Sequence, residues 1–416
     1  MTRPLNILYL SQYYPPEIGA TQTRAYEMAR HLVENGHGVT ILTEFPNHPT
    51  GIIPGSYRGK IHTRSTESGV DVIRVRVAAS PKKNFIKRMA FYISYMVAAM
   101  VAGILLRRKY DLVFATSPPL FVAVAGRFIA TIKRCLFFME VRDLWPESAV
   151  VLGELNNQTI IDLSERLEWS LYQKAASVVG VTQGIVNRLQ DRGVPNHKIQ
   201  MIPNGANIDL YQPGSRDPEL LRSLGIDPDA FLVIYTGLHG LMHGLEFVMD
   251  VAKDLQHDGV TFLFIGDGVK KKDVMDKAES LALTNVVFLP GQNEEELPKY
   301  IQSADAGLVT TRKMDFCQGT LPVKMFSYMA CARPVLLCVE GEAQTILQRA
   351  NAGLMIEPEN VIELKQAILQ LKSNPDQCHQ LGEQGRQFVE NHYSRKQFAK
   401  ALENGLIQAF TEHDQG

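Results

Sequence analysis

Nothing in the cysteine pattern points to a disulfide framework or a metal centre. The five cysteines, Cys135, Cys317, Cys331, Cys338 and Cys378, form no CxxC pair and no His/Cys ligand spacing. Four of them fall in segments that read as buried strand or helix, where cysteine acts as a small hydrophobe. A reducing cytoplasm is the expectation. An excess of either charge is missing too: 43 Lys and Arg stand against 44 Asp and Glu. That balance gives no reason to expect nucleic acid as a partner. The N-terminus has no charged n-region and no apolar h-region, so a signal peptide is not expected. Low-complexity segments and short tandem repeats are absent. So is GxGxxG, which removes the NAD fingerprint.

What the chain does contain is one kind of opening, twice. Leu5-Asn6-Ile7-Leu8-Tyr9-Leu10-Ser11 leads into a loop, Gln12 to Ala20, and then a helix ending at Gly36-His37-Gly38. Phe231-Leu232-Val233-Ile234-Tyr235-Thr236-Gly237 leads into a loop through Gly240 and Gly244, and then a helix through Leu255. A short apolar run, a glycine-bearing loop and an amphipathic helix open a Rossmann-like domain. The length of 416 residues suits two such domains of about 200 residues each. The fold class expected is therefore α/β, two Rossmann-like domains facing across a cleft, with an enzyme working on a nucleotide-linked substrate as the leading idea.

The first helix carries Ala25, Met28, Ala29, Leu32 and Val33 as a stripe that packs on a sheet. Val39 to Thr43 follows as a strand. Segments 70–77, 111–116, 135–141, 177–181 and 199–202 read as further strands in the first half. Those near 231–236, 261–265, 286–289, 306–310, 334–338 and 353–356 read so in the second. Pro203-Asn204-Gly205 is a strong turn signal, and Asn207 to Pro228 reads as a polar linker. The tail, 374–411, reads as helical. The boundaries expected are 1–205, 206–390 and a C-terminal helix, 391–416, returning towards the first domain.

One segment departs from this soluble pattern. Met89 to Leu106 carries no charge, with Lys82, Lys83, Lys87 and Arg88 before it and Arg107, Arg108 and Lys109 after it. Its length makes it a marginal membrane span. Spanning is rejected, because Asp111 to Thr116 reads as a core strand of the same domain. A buried crossover helix and a helix lying on a membrane face both remain, and they are compatible if only part of the helix is exposed.

Four loops carry candidate chemistry. Tyr14-Pro15-Pro16-Glu17-Ile18-Gly19-Ala20-Thr21 precedes a helix whose free N–H groups suit an anion; a plain surface turn is the alternative. Glu140-Val141-Arg142-Asp143-Leu144-Trp145-Pro146-Glu147-Ser148 closes a strand. Its Arg142 could hold an anionic group and its Asp143 could orient a sugar hydroxyl; an Arg–Asp pair capping the next helix is the plainer reading. Gly266-Asp267-Gly268, followed by Lys270, Lys271 and Lys272, suits a phosphate, against the commoner case of solvated lysines. Thr320-Leu321-Pro322-Val323-Lys324 opens a helix whose N–H groups, with Lys324, suit a diphosphate. His239 and His243 flank Gly240, weak evidence for a metal. Asp227-Pro228-Asp229 sits in a proline turn. No metal ligand set is expected.

The motifs together resemble family 4 glycosyltransferases of the GT-B fold, in the bacterial branch that builds O-antigen, capsule and colanic-type polysaccharides. The matching pieces are YPPEIGA with Arg24-Ala25-Tyr26-Glu27, NGHGVTILTEFPNHP, ATSPPLF, EVRDLWPES, MIPNGANIDLYQP, FIGDGVKK, ADAGLV and LPVKMFSYMACARPVLL. They span almost the whole chain in the expected order.

The resemblance implies a retaining, metal-independent transferase with no cofactor. Its nucleotide-diphosphate sugar, UDP-linked by preference, would be held by the C-terminal domain. A lipid-linked or saccharide acceptor would be held by the N-terminal domain, at the cytoplasmic face of the inner membrane. By position, Asp143, Arg142 and Glu17 would serve catalysis. Gly19, Ala20, Gly237, His239, His243, Gly266, Gly268, Pro290, Thr320, Leu321, Lys324 and Ser327 would bind substrate. The reaction would be a front-face displacement in which the leaving phosphate helps take the acceptor proton.

Three positions depart from the family pattern. Ser327 and Gly319 stand where the family has the two acids of its E-x7-E motif. Leu238, Leu241 and His243 occupy places that often carry basic residues. Ala332 replaces a turn glycine. The first two would weaken donor binding. A GT-B-like partner subunit with weakened donor binding is therefore the alternative function.

Overall fold

The computed structural model describes residues 3–415 except 49, 83–84, 152, 154, 315–318 and 320. The chain forms two compact units. One is Met1–Pro203 together with Lys396–Gly416, and the other is Asn204–Arg395.

The first unit is built on eight strands: β1 (Asn6–Leu10), β2 (Gly38–Glu44), β3 (His62–Glu67), β4 (Val70–Val75), β5 (Leu112–Ser117), β6 (Leu136–Val141), β7 (Ser177–Gly180) and β8 (Ile199–Met201). Its helices are α1 (Ala20–Glu34), α2 (Phe85–Leu105), α3 (Leu120–Lys133), α4 (Glu147–Val151), α5 (Gln158–Lys174) and α6 (Gln183–Asp191). The sheet order is β3-β4-β2-β1-β5-β6-β7-β8. Every pairing is parallel except β3 with β4. Chain direction along the sheet reverses beside β1, with β2 on one side and β5 on the other. That is the switch point at which ligands bind beyond the strands' carboxyl ends in α/β sheets.

Strand β3 is absent from the sequence reading. Its residues, HTRSTE, are almost all exposed and offer no apolar alternation. It pairs through backbone bonds across a turn at Ser68 and Gly69, both with positive φ, and Arg64 grips Asp71 of β4 with two hydrogen bonds of 2.8 and 2.7 Å.

The second unit has six parallel strands: β9 (Phe231–Thr236), β10 (Val260–Ile265), β11 (Val286–Leu289), β12 (Ala306–Thr310), β13 (Val335–Cys338) and β14 (Gly353–Met355), in the order β11-β10-β9-β12-β13-β14. Here the switch point lies beside β9. The helices are α7 (Pro218–Ser223), α8 (Glu246–Asp254), α9 (Lys271–Ser280), α10 (Leu297–Ser303), α11 (Val323–Ala330), α12 (Glu342–Ala350), α13 (Val361–Ser373) and α14 (Pro375–His392). The segment expected as a linker is thus corrected: it contains α7, because Asp217 accepts the N–H groups of Glu219 and Leu220 and Pro218 sits in the first turn.

The last helix, α15 (Arg395–Gln415), belongs almost wholly to the first unit. Ala399, Leu402 and Leu406 join Met28, Ala29 and Leu32 of α1 in one apolar cluster. Glu403 adds a polar anchor: its carboxylate meets Nε2 of His31 at 3.2 Å and Nε2 of His37 at 3.0 Å.

Helix α2 has one line of residues buried and another side exposed. Tyr95, Ala99 and Gly103, four residues apart, form its buried line. A Cβ on Gly103 would come within 2.5 Å of Ile129 on α3, so glycine lets the two helices meet. On the opposite side Ile86, Ile93, Val97, Val101, Ile104 and Leu105 are exposed. The helix is long and apolar enough to cross a membrane, yet its buried line is part of the domain core.

Candidate active site

In the second unit, the loop after β9 is pressed against the loop after β10. Gly237 N–H donates to Ile265 O at 2.8 Å, and His239 N–H to Asp267 O at 3.0 Å. Any Cβ on Gly266 would stand 1.8 Å from Gly237 O, and one on Gly268 2.3 Å from His239 O. These glycines are therefore fixed by close backbone approach. Gly237 itself has φ 118°, and a Cβ there would sit 3.4 Å from Lys324 Nζ.

Lys324 lies in the first turn of α11, a helix with no side-chain cap and no acidic residue in that turn. Its Nζ is buried, has no hydrogen-bond partner among the described residues, and lies 3.5 Å from the centroid of the Tyr235 ring. Burial without a counter-ion holds the ammonium well below the ordinary lysine range. His239 is fully buried with neither ring nitrogen bonded. Burial, with the Lys271 and Lys324 charges, lowers it to about 4. Burial and Lys324 lower His243 to about 3. Three basic groups thus converge beside a glycine loop, and the nearby Asp267 carboxylate is taken up by Lys271 and the Gly291 N–H. A diphosphate would supply the missing charge.

Other sequence candidates fall differently. Lys271 is a structural clamp: its Nζ donates to Gly266 O, Leu289 O and Asp267 Oδ1 at 2.8, 2.9 and 3.0 Å. Lys270 pairs with Asp273 and Lys272 with Asp276. The lysine run is thus paired within the chain. Pro290 is exposed beside this clamp and accepts a hydrogen bond from the Gln292 side chain at 3.0 Å. Leu321 is buried in the core cluster behind α11. Ser327 is also buried, and its hydroxyl bonds Tyr211. Thr320 lies outside the described residues.

In the first unit, Gly19 is the N-cap of α1 and Ala20 its first residue, again with no side-chain cap and no acid in the first turn. A Cβ at Gly19 would meet Gln22 Oε1 at 2.6 Å.

Glu17, expected to be catalytic, is buried and serves as a fastener. One carboxylate oxygen accepts the backbone N–H groups of Asn47 and His48, both at 2.7 Å. The Asn47 side chain in turn donates to Glu44 at 2.6 Å, and Gln12 donates to Glu44 at 2.8 Å. Burial, then the nearby Glu17 charge, raises Glu44 well above the carboxylate range. Burial also raises Glu17, offset in part by the two amides. This lattice ties the loop after β1 to the loop after β2. Helix α2 braces it, through Tyr95 Oη donating to Leu42 O at 2.7 Å and a Tyr92–Tyr13 hydroxyl contact.

Asp143 has its carboxyl raised by burial, and it accepts from the Ser148 hydroxyl and the Leu144 N–H. It therefore shapes its own loop at the start of α4. Arg142 follows β6, its N–H on Ser117 O at 2.8 Å, and its charge reaches Tyr9.

Two residues gain roles that sequence reasoning did not give them. Arg24 of α1 is buried and donates to Glu140 at 2.8 Å, to Ile202 O at 2.8 Å and to Pro203 O at 2.9 Å. Thr116 donates to the other oxygen of Glu140 at 2.8 Å. The helix behind Gly19 is thereby locked to β6, the strand that leads into Arg142 and Asp143. The signal available in sequence was a buried-face arginine in α1 and a glutamate inside an otherwise apolar strand.

The two doubly wound units, each with its glycine loop at a switch point, define the GT-B class of glycosyltransferases. Sucrose-phosphate synthase from Thermosynechococcus elongatus superposes with a TM-score of 0.74 at 18% identity, over 98% of this chain and 100% of that one. HepE of Anabaena, solved in complex with UDP-glucose, does so with a TM-score of 0.74 at 16% identity, over 97% and 100%. The chain belongs to the glycosyltransferases that join a glycosyl transferase 4-like domain, matched at residues 19–205, to a glycosyl transferases group 1 domain, matched at 217–388. Among curated relatives, WcaI of Escherichia coli (strain K12), named as a colanic acid biosynthesis glycosyl transferase, is 24% identical over 385 residues, covering 89% of this chain and 94% of its own.

Proposed function

We propose that this glycosyltransferase moves a sugar, with retention, from a UDP-sugar to a lipid-linked saccharide acceptor in cell-surface polysaccharide biosynthesis. The observation that carries the donor half is the orphaned Lys324 ammonium beneath Gly237, flanked by the uncharged His239 and His243. Within the same unit, the N-terminus of α11, with no side-chain cap, adds N–H groups to a diphosphate site. The lysine and the helix terminus would neutralise the leaving group without a metal. Arg142 would face the reacting sugar, and Asp143 and Glu17 would position the loops around it. The leaving phosphate would assist removal of the acceptor proton. The UDP-glucose complex of HepE supports the choice of nucleotide, and the name of WcaI supports the polysaccharide setting.

The exposed apolar face of α2 supports the lipid-linked acceptor. Basic residues stand at both its ends, with Lys82 before it, Lys87 and Arg88 in its first turn, and Arg107 and Lys109 after it. That arrangement fits a helix lying on an anionic bilayer as a peripheral anchor on the cytoplasmic face.

Calorimetry against UDP, GDP, TDP and their common sugars tests the donor. Micromolar binding of UDP alone supports the reading, and no binding by a folded sample overturns it. Flotation on phosphatidylglycerol vesicles tests the anchor. Val97→Glu with Val101→Glu should leave the protein at the bottom of the gradient, and wild type that stays there too would overturn membrane docking.

A further inference from the structure

A cavity of about 410 Å³ opens beyond the carboxyl ends of β2 and β4. Half-buried Tyr57 forms aromatic surface in it, backed by the fully buried Phe45 one residue past β2, their ring centroids 4.7 Å apart at 39°. Ile53 and Pro54 add apolar wall, and Arg58 and Arg76 complete the lining. Among the described residues neither guanidinium has a carboxylate within ion-pair distance. This sets them apart from Arg64 and Arg74 of the same sheet edge, which pair with Asp71 and Glu67.

The surroundings are amphipathic in the same sense. Ile52 and Ile61 are 62% and 78% exposed. Ile61 is tied to the cavity by its carbonyl, which accepts the Arg76 N–H at 2.9 Å. Gly51 packs against the backbone of Ser80 and Pro81, where a Cβ would come within 2.2 Å. The loop that runs from Gly51 to the cavity wall at Ile53 therefore touches the segment that leads through Lys82 into α2, the helix with the exposed apolar face.

We infer that this cavity is a binding site for the phosphate-bearing head of an amphiphilic acceptor, a lipid-linked sugar phosphate or diphosphate. A planar guanidinium pair matches phosphate oxygens bidentately. The aromatic surface offers a face to a sugar ring, and the exposed isoleucines offer apolar surface to the lipid stem. The choice of ligand rests on the transferase reading above, but the site is separate from the donor loops and can fail without them.

Farnesyl diphosphate is a soluble probe of this chemistry. Titrated calorimetrically, it should bind wild type at least tenfold more tightly than an Arg58→Ala, Arg76→Ala variant, with farnesol binding neither. Arg58→Lys with Arg76→Lys should keep part of the affinity. UDP affinity and thermal unfolding should be unchanged in both variants, since both arginines are exposed and neither belongs to the donor loops. Equal farnesyl diphosphate affinity in wild type and the alanine variant overturns the inference. So does binding of phosphatidylglycerol vesicles that is lost in that variant while farnesyl diphosphate binds neither protein, which would make the site a bilayer contact. Loss of UDP binding in wild type would count against the donor reading alone.

Discussion

The Nζ of Lys324 sits 3.5 Å from the centroid of the Tyr235 ring with no hydrogen-bond partner among the described residues, although it is buried. A ring face is a poor replacement for a counter-ion, so burial holds the group below its usual range. An arriving diphosphate would reverse that shift and draw a proton from solvent. UDP binding should therefore be coupled to proton uptake above the free-state pKa and weaken as pH rises. Calorimetry in buffers of different ionisation enthalpy measures the uptake directly. Lys324→Met should abolish it and lower affinity by about tenfold to a hundredfold, the value of one or two charge-assisted bonds. Unaltered affinity would remove Lys324 from the donor site.

The buried pair Arg24–Glu140 is the lock of the first unit. Removing one member of such a pair leaves an uncompensated charge and costs about 3–5 kcal/mol. Arg24→Ala should therefore destabilise far more than a surface substitution, and also free the Ile202 and Pro203 carbonyls. Arg24→Met with Glu140→Leu should recover much of the loss. Chemical denaturation of the three proteins checks both statements. A loss below about 1 kcal/mol for Arg24→Ala would show that the pair is not a lock.

Ala332 carries φ 54° at the turn after α11, where the resembled family has glycine. A side chain in the left-handed region costs about 1–2 kcal/mol, and glycine's extra unfolded-state entropy takes back part of that. Ala332→Gly should stabilise the protein by about 0.5–1 kcal/mol. Differential scanning fluorimetry should register a rise of a few degrees. A lower melting temperature would contradict the strain argument.

Glu168 on α5 is buried against Tyr172, which donates to it at 2.5 Å, and against Arg192. Burial outweighs both contacts and raises its carboxyl to about 6. A raised carboxyl favours the fold when protonated, so its contribution is complete below about 4.5, the unfolded value, and is lost as pH rises through about 6. Glu17 and Glu44 are raised in the same direction. In Glu168→Gln the fall in melting temperature between those two pH values should become shallower. An unchanged slope would assign the effect to the other two carboxyls.

Much of this architecture is legible in one dimension. The apolar runs of β1 and β9 and the stripe of α1 have the right periods, and the glycine loops stand where strand meets helix. The second strand pair is less so. β3 is polar on both faces and exists only because β4 offers it a backbone edge. Likewise α7 hides in a polar, proline-bearing stretch, since Asp217 and Pro218 act through capping rather than hydrophobic pattern. At the loops after β9 and β10, the glycines that position singles out are fixed by carbonyl contacts as close as 1.8 Å to a notional Cβ. The neighbouring lysines were indistinguishable in sequence. Lys271 is held by Gly266, Leu289 and Asp267, whereas Lys324 has no partner among the described residues, and only the folded chain shows which is which.

The sequence alone determined the class: two Rossmann-type openings, motifs in family order, and an apolar segment with basic flanks. Those properties depend on local order and periodicity, which a chain carries before it folds. Tertiary structure decided what each polar group does. It turned Glu17 into a fastener for Asn47 and His48 and made Arg24 a lock on Glu140. It placed Tyr95, Ala99 and Gly103 inward while leaving Val97 and Val101 outward. Such outcomes are set by burial and by partners far away in sequence, because the strength and even the charge state of a polar group depend on what surrounds it.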